Sequence, residues 1–348
     1  MTTVDHPVPL PAVVGAAEPV VGPGDAAARR PPAVLAGRRW LLASLWAALA
    51  AAFAATCGLR GLPTDRLVLM GWVLAGLAVH AATRGIRPLG RLLVDWLPLV
   101  VVLLAYDASR GLADGLGMPV HVSEPAAVDR WLGFGALPTA VLQQHWDADW
   151  WKALAALVYG SHFVVTPLLL CVLWVRDRRL WGRYVRRVLA LSAAGLITYV
   201  LYPAAPPWLA AKDGVIEPVR RLSATGWDVL GMPHAGALLA ESQAQVNKVA
   251  AVPSLHTAFA VLVCLVLFPV ARRAWMRAGL IAYALVMPLV LVWSGEHYVI
   301  DTLLGALYAA GVVLAAALMR PAVAAVRRRV RPDRCPGAPT SAAPTVEA

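Results

Sequence analysis

"SGEHYVID", residues 294–301, separates two apolar runs, residues 280–293 before it and residues 302–318 after it. Runs of this kind form membrane-spanning helices, which need about 20 apolar residues, so the octapeptide is a very short connection between two spans. Ionisable side chains are costly to place in the centre of a bilayer, so within apolar sequence they usually mark a functional site. Glu296, His297 and Asp301 are therefore the first candidates for such a site.

The composition of the whole chain is that of an integral membrane protein. Its 348 residues are 59% hydrophobic and only 15% charged, whereas soluble domains are about 45–50% apolar and about 25% charged. Eight apolar runs predict an all-α, polytopic transmembrane helical bundle of about eight spans. The runs are residues 40–58, 67–83, 91–107, 152–175, 186–203, 254–271, 277–293 and 298–319.

Basic residues are distributed unevenly between the two sides of this bundle. Of the 31 Lys and Arg residues, 22 lie in the two tails and in alternate connections, and only 9 lie in the other connections, which include the long ones at 108–152 and 204–253. Cytoplasmic segments are the ones rich in Lys and Arg, so both termini are predicted in the cytoplasm and the long connections outside. Topology thus explains the net charge of +11, and we expect no nucleic-acid partner.

The organisation along the chain follows from these spans. Residues 1–37 are rich in Ala, Pro, Val and Gly and are predicted to be a disordered cytoplasmic tail. Residues 38–320 form the predicted integral membrane domain, and residues 321–348 a basic, disordered cytoplasmic tail. The Ala-, Arg- and Pro-rich composition is typical of a high-GC bacterium, which makes the plasma (cell) membrane the expected location.

His297 and Asp301 lie four residues apart. On a helix this spacing places both side chains on one face, with their Cβ atoms about 5–6 Å apart. A carboxylate so placed can accept from one imidazole nitrogen and fix the tautomer, which makes the other nitrogen a better nucleophile or base. Glu296 beside them is equally well explained as a solvated neighbour.

A second group of polar residues opens the sixth span in "NKVAAVPSLHTAFAVLVCLVLF", residues 247–268. Pro253 is a suitable first helical residue, and Ser254 and His256 follow in the first turn, where free backbone N–H groups favour an anion. This helix also begins at the outer face, so His256 is predicted to lie at the depth of His297. Two histidines, a carboxylate and an anion site suit phosphoryl transfer, in which one His attacks phosphorus and the other protonates the leaving oxygen.

These stretches carry a family resemblance. VPSLH (252–256) and GEHYVID (295–301) resemble the second and third signatures of the type 2 phosphatidic acid phosphatase superfamily, Pro-Ser-x-His and His-x-x-x-Asp. YPAAPPWLA (202–210) and NKVAAVPSLH (247–256) are most similar to its inositolphosphotransferase branch, the inositol phosphorylceramide synthase-like proteins. The resemblance covers residues about 100–320 and implies the helical core of that superfamily.

The resemblance also implies the roles of the site residues. His297 would be the nucleophile that forms a phosphohistidine, Asp301 its partner, and His256 the general acid. The chemistry of the superfamily needs no metal, and the chain has no HExxH-like spacing, so we expect neither a metal nor another cofactor.

The chain departs from the phosphatase branch in its basic residues. It lacks the first signature, Lys-x6-Arg-Pro, and Leu291 stands where the third signature has an arginine six residues before the histidine. Other cations must then bind the phosphate. Arg110 is the first candidate, Lys248 the second, and the outer-loop pair Arg220–Arg221 a weaker one.

Four further residues are candidates for substrate binding. Ser254 lies in the predicted anion site, and Tyr106 and Asp107 either hold Arg110 or bind a headgroup hydroxyl, although they could equally just end the third span. His162 lies in "VYGSHFVV" of the fourth span, in a Tyr-x-Ser-His-Phe stretch similar to those of the inositolphosphotransferase branch. A buried histidine hydrogen-bonded between helices explains His162 equally well.

The sequence thus predicts transfer of a phosphoryl or phospho-headgroup of a membrane lipid phosphate at the extracytoplasmic face, to an alcohol acceptor. Two alternatives fit the same residues. One is an extracytoplasmic lipid phosphatase acting on phosphatidate or undecaprenyl diphosphate, and the other is a non-enzymatic lipid transporter or scaffold. The donor lipid, the acceptor and the oligomeric state do not follow from the sequence.

Overall fold

A computed structural model describes residues 32–60, 66–82, 84–244 and 247–330. Within these ranges the regular secondary structure is helical, and the extended contacts are isolated bridges that His121 and Ala250 form with Ala204. The helices are α1 (Pro32–Arg60), α2 (Arg66–Ala82), α3 (Ile86–Gly115), α4 (Ser123–Leu132), α5 (Pro138–His145), α6 (Asp149–Arg176), α7 (Arg178–Leu201), α8 (Pro207–Lys212), α9 (Gly226–Val229), α10 (Pro233–Ala244), α11 (Leu255–Leu267), α12 (Ala274–Trp293) and α13 (Val299–Val330).

The predicted membrane bundle is confirmed. Six segments of the described helices are long and apolar enough to cross a membrane, and two shorter apolar helices, Val68–Ala82 and Leu255–Val270, accompany them. The eight segments coincide with the eight predicted runs to within four residues at each end, except that the fifth begins at Arg178, eight residues before the predicted start. The six long ones are Trp40–Cys57, Arg87–Ala105, Asp149–Arg176, Arg178–Leu201, Ala274–Trp293 and Val299–Met319.

Helix α11 lies in the middle of the bundle, in contact with α6, α7, α12 and α13. Two glycines allow its neighbours to come close. A Cβ atom at Gly195 of α7 would lie 2.7 Å from the Leu255 side chain, and one at Gly305 of α13 would lie 2.3 Å from the Ser254 carbonyl oxygen. Such distances are well inside van der Waals contact. The backbone contact at Gly305 leaves room for glycine alone, whereas an added Cβ atom at Gly195 would have to displace the Leu255 side chain.

The long connections pack together at one end of the bundle. The backbone amide of His121 donates to the Pro203 carbonyl (2.8 Å), which joins the connection after α3 to the one after α7. The second of these connections also donates to the turn that contains SGEHYVID, from Trp208 to Gly295 (3.1 Å) and from Leu222 to Ser294 (2.9 Å). Short helices α4, α5 and α8–α10 therefore cover the end of the bundle where α11 and α13 begin.

Several boundaries differ from the sequence prediction. Helix α11 begins at Leu255 with Ser254 as its N-cap, so the expectation that Pro253 is its first residue is wrong. Helix α1 begins at Pro32, inside the predicted tail, and α13 continues to Val330, ten residues beyond the predicted membrane domain. Residues 1–31 and 331–348, which hold most of the two predicted tails, lie outside the described residues.

Candidate active site

His297 and Asp301 are buried side by side at the start of α13. The Nδ1 atom of His297 lies 3.0 Å from the carbonyl oxygen of Ala251 and 3.5 Å from Oδ2 of Asp301. Because a carbonyl oxygen can only accept, the contact with Ala251 puts the proton of the neutral imidazole on Nδ1. Nε2 then keeps its lone pair, as a nucleophile requires.

Asp301 has a second role in the local backbone. Its Oδ2 accepts from the backbone amide of Tyr298 (2.8 Å), and its carbonyl oxygen accepts from the amide of Ser254 (2.9 Å). The carboxylate thus faces the His297 imidazole and also satisfies an orphan N–H group ahead of α13. Asp301 is predicted to fix the tautomer of His297, and in the structure it shares that role with the Ala251 carbonyl.

His256 lies beside His297, as the sequence predicts. The centroids of the two imidazole rings are 5.7 Å apart, and the ring planes meet at 60°. A phosphorus atom in contact with both rings is sterically compatible with this spacing, since reacting atoms approach to about 3–3.5 Å. Helix α11 therefore supplies one imidazole, and the turn before α13 together with its first turn supplies the other imidazole and the carboxylate.

The other face of His256 is covered by side chains of α6. The His162 ring lies 4.0 Å from the His256 ring, and the Tyr159 ring stacks on His256 at 5.1 Å. Phe163 contacts the same imidazole edge-on at 6.0 Å. His162 therefore adjoins the site through His256. Its position agrees in part with both interpretations of the sequence, because it packs between helices and also against a candidate catalytic group.

Asp129 of α4 holds the first turn of α13. Its carboxylate is fully buried and accepts from the backbone amides of Val299 (2.8 Å) and Ile300 (3.0 Å). Burial raises the pKa of this carboxyl to about 6, against the lowering effect of the two amide hydrogen bonds, and the nearby Asp301 adds to the rise. Two of the free N–H groups of α13 are therefore satisfied by a residue 170 positions earlier.

Glu296 is buried and forms an ion pair rather than facing solvent. Arg221 donates to it from Nε (2.8 Å) and from Nη2 (3.1 Å), and the Ser223 hydroxyl donates as well (2.5 Å). The guanidinium also lies over the Trp208 ring at 4.7 Å. Burial acts to lower the pKa of Arg221, but the hydrogen bonds and the charge of Glu296 outweigh it and raise the pKa.

A glycine allows this loop to close. Gly295 has φ +76, and a Cβ atom there would lie 2.6 Å from the Arg220 carbonyl oxygen. Both the left-handed backbone and the close approach therefore require glycine at this position.

The residues predicted to bind phosphate or substrate have different surroundings from one another. Ser254 is buried and accepts from the amide of Thr257 (3.3 Å), so its hydroxyl serves as the helix cap. Lys248 is exposed in the turn before α11. Tyr106, Asp107 and Arg110 belong to α3, but their side chains lie outside the described residues.

A sequence-family model of the PAP2 superfamily, the type 2 phosphatidic acid phosphatases, matches residues 124–317, which is more than half of the chain. The chain belongs to the PAP2 superfamily. The match falls inside the region of about 100–320 over which the motifs predicted it.

A curated bacterial relative agrees with this assignment. The "Phosphoinositol dihydroceramide synthase" of Bacteroides thetaiotaomicron is 29% identical over 235 residues, which cover 63% of this chain and 74% of the relative. No solved structure matches the chain significantly. The predicted resemblance to PAP2 proteins of the inositolphosphotransferase type is thus confirmed, and the protein is a membrane enzyme of lipid phosphoryl transfer.

The described arrangement brings together the two imidazoles and the carboxylate for which the resemblance to PAP2 enzymes implies the roles of nucleophile, general acid and orienting partner. In the part of the chain that the structure describes, no three His, Cys, Asp or Glu side chains form a cluster that could hold a metal. The sequence missed Asp129 and gave Arg221 little weight, because both reach the PAP2 motifs through long-range contacts. The only local signal for Arg221 is its place in a polar loop between spans.

Proposed function

We propose that the protein transfers a phospho-headgroup from a lipid phosphodiester to an alcohol acceptor, through a phosphohistidine on His297. The observation that carries the proposal is the 3.0 Å contact between Nδ1 of His297 and the Ala251 carbonyl oxygen, which selects the tautomer that leaves the Nε2 lone pair for phosphorus. The name of the Bacteroides relative supports phosphoinositol as the headgroup and a dihydroceramide-type lipid as the acceptor.

The reaction has two displacements. In the first, Nε2 of His297 attacks phosphorus, the P–O bond to the donor lipid breaks, and His256 gives its proton to the departing oxygen. In the second, the neutral His256 takes the proton of the acceptor hydroxyl, the acceptor oxygen attacks phosphorus, and the P–N bond to His297 breaks. Both imidazoles end in their starting protonation states, so atoms and charges balance.

Asp301 supports the first displacement electrostatically. When Nε2 bonds to phosphorus the imidazole gains positive charge, and the carboxylate 3.5 Å from Nδ1 stabilises that charge. The buried surroundings of both residues strengthen this interaction relative to water.

The site is proposed to face the outside of the plasma membrane. Support comes from the packing of the long connections over the beginning of α11 and α13 together with the scarcity of Lys and Arg in those connections. A lipid would then enter from the outer leaflet.

The test is to trap the intermediate. Purified wild-type protein incubated with a phosphodiester lipid labelled in its phosphate should acquire acid-labile, base-stable label, and His297→Ala should acquire none. His145→Ala is the matched control, since His145 bonds its own helix at Val141 rather than the site. Turnover at the wild-type rate in both His297→Ala and His256→Ala would refute the proposal.

The acceptor is identified in the same assay. A transferase needs an added lipid alcohol before it turns over repeatedly, whereas release of the phospho-headgroup to water without any acceptor would make the protein a phosphatase. Lipid movement that persists after loss of both histidines would instead favour a transporter or scaffold.

A further inference from the structure

Arg221 contacts the surroundings of the two histidines of the site. Its guanidinium is bonded to Glu296, the residue before His297. It also lies within electrostatic range of the Tyr159 hydroxyl, and the Tyr159 ring stacks on His256. One basic side chain from the 204–225 connection is thus placed against the surroundings of both imidazoles.

The orientation of the guanidinium is fixed on two sides. Glu296 engages the edge formed by Nε and Nη2, and Trp208 covers one face. These contacts use two of the five N–H groups of an arginine, and the edge between Nη1 and Nη2 presents two of the remaining three. That edge matches two non-bridging oxygens of a phosphate, the arrangement that gives the strongest guanidinium contacts.

The neighbouring basic residues of the described chain are less suitably placed. Arg220 is exposed, and its backbone amide and carbonyl are bonded to the Gln143 side chain. Lys248 is exposed as well. Leu291, which stands where the third signature has its arginine, is fully buried in an apolar cluster with Trp293 and Met287, so no cation is supplied there.

We propose that Arg221 binds the phosphate group of the lipid substrate, taking the place of the basic residues that the motifs of this chain lack. This inference rests on the proposed function, whose site it completes. Of the predicted pair Arg220–Arg221, it assigns phosphate binding to Arg221 alone. The ligand class is a phosphate monoester or diester with two free non-bridging oxygens. Arg221 stabilises the negative charge of these oxygens while His297 attacks.

Glu296 serves as a holder for Arg221 in this arrangement. Its carboxylate keeps the long arginine side chain in one rotamer, which lowers the entropy lost when the phosphate binds. The Ser223 hydroxyl donates to the same carboxylate and so draws part of its negative charge away from the incoming anion. The rival explanation is that the ion pair only closes the loop over the membrane domain.

Binding of inorganic phosphate to purified protein in lipid nanodiscs tests the proposal. The measurement is made by calorimetry in the His297→Ala background, so that no turnover contributes. In this background we expect Arg221→Met to weaken phosphate binding by about ten- to a hundredfold, the range of hydrogen bonds to a charged group. Arg220→Met is the matched control and should leave binding unchanged.

A double variant separates phosphate binding from loop closure. Arg221→Met leaves Glu296 as an uncompensated buried charge, which by itself disturbs the loop. Arg221→Met/Glu296→Gln removes that charge, so a merely structural pair predicts that phosphate binding returns to within about twofold of the parent. The proposal predicts that binding stays weak in the folded double variant.

Three results overturn the inference: recovery of binding in the double variant, equal losses in Arg221→Met and Arg220→Met, or no loss in either. These outcomes are distinct from failure of the proposed function. A protein that binds phosphate through Arg221 but never forms a phosphohistidine would refute the covalent route and leave the role of Arg221 intact.

Discussion

The backbone amide of Ser254 donates to the carbonyl oxygen of Asp301 over 2.9 Å. This single bond ties the cap of α11 to the first turn of α13, and therefore the helix that carries His256 to the helix that begins beside His297. Gly305, one turn further along α13, makes the contact possible, because a Cβ atom there would lie 2.3 Å from the Ser254 carbonyl oxygen.

Gly305→Ala should accordingly push α11 and α13 apart. Overpacking of this kind costs about 1–3 kcal/mol of stability, and we expect activity to fall at least about tenfold because a shift near 1 Å at reacting groups has large effects. The measurement is phospho-headgroup transfer together with the apparent Tm. Gly311→Ala is the control on the same helix, where nothing lies within 4 Å of the added Cβ atom. Equal effects of the two substitutions would contradict the packing explanation.

Asp301→Asn should reduce the rate without abolishing it. The substitution removes the charge that stabilises the positive imidazole, while the Ala251 carbonyl still accepts from Nδ1 and preserves the tautomer. Hydrogen bonds to charged groups are worth about 1.5–3 kcal/mol, so a decrease in kcat of about ten- to a hundredfold is expected. His297→Ala should fall to the uncatalysed rate. A loss in Asp301→Asn as complete as that in His297→Ala would show that the Ala251 carbonyl does not fix the tautomer.

His162→Phe distinguishes two roles for His162. The ring contact with His256 at 4.0 Å indicates that His162 positions the general acid, and Phe keeps the ring while removing its nitrogens. We expect kcat to fall by about tenfold or more with KM nearly unchanged. A rise in KM at constant kcat would instead support direct contact with the substrate, as the sequence prediction holds.

Asp129→Asn should change how stability depends on pH. The pKa of the buried Asp129 carboxyl is raised to about 6 from an ordinary value of 3.8, so the folded state binds this proton more tightly than the unfolded state. Its contribution to stability is then fully present below about pH 4 and is lost as pH rises through about 6. Asparagine does not titrate, so the Tm of wild type relative to Asp129→Asn should decrease over this range and be constant above it. A difference in Tm between wild type and Asp129→Asn that stays constant from about pH 4 to about pH 7 would contradict the raised pKa.

The spans and the central residues of the site follow from the sequence, whereas the outer connections do not. The spacing of four correctly predicts that His297 and Asp301 adjoin, although His297 lies just before α13 rather than on a shared helix face. His256 is in the first turn of another span on the same side, so local patterns suffice to bring the three together. Asp129 and Arg221 act through contacts with Val299 and Glu296 that lie 170 and 75 positions away along the chain. No periodicity or motif encodes such a pairing, because it depends on how three loops fold over one end of the bundle.

The side of the membrane on which the site opens can be measured by cysteine labelling. In a background with Cys57, Cys171, Cys264 and Cys335 replaced by serine, we expect Asp213→Cys to react with a membrane-impermeant maleimide on intact cells. Asp213 is exposed and follows α8, in a connection poor in Lys and Arg. Arg179→Cys is the matched probe, since Arg179 is also exposed but lies in the first turn of α7, within the stretch 176–187 that holds six arginines.

Arg179→Cys should react only after the cells are permeabilised, because segments rich in Lys and Arg remain in the cytoplasm. Labelling of Arg179→Cys but not Asp213→Cys on intact cells would place the site on the cytoplasmic side and exclude an outer-leaflet substrate. Loss of transfer activity in either variant would not bear on the result, since the readout is accessibility of an exposed residue outside the group around His256 and His297.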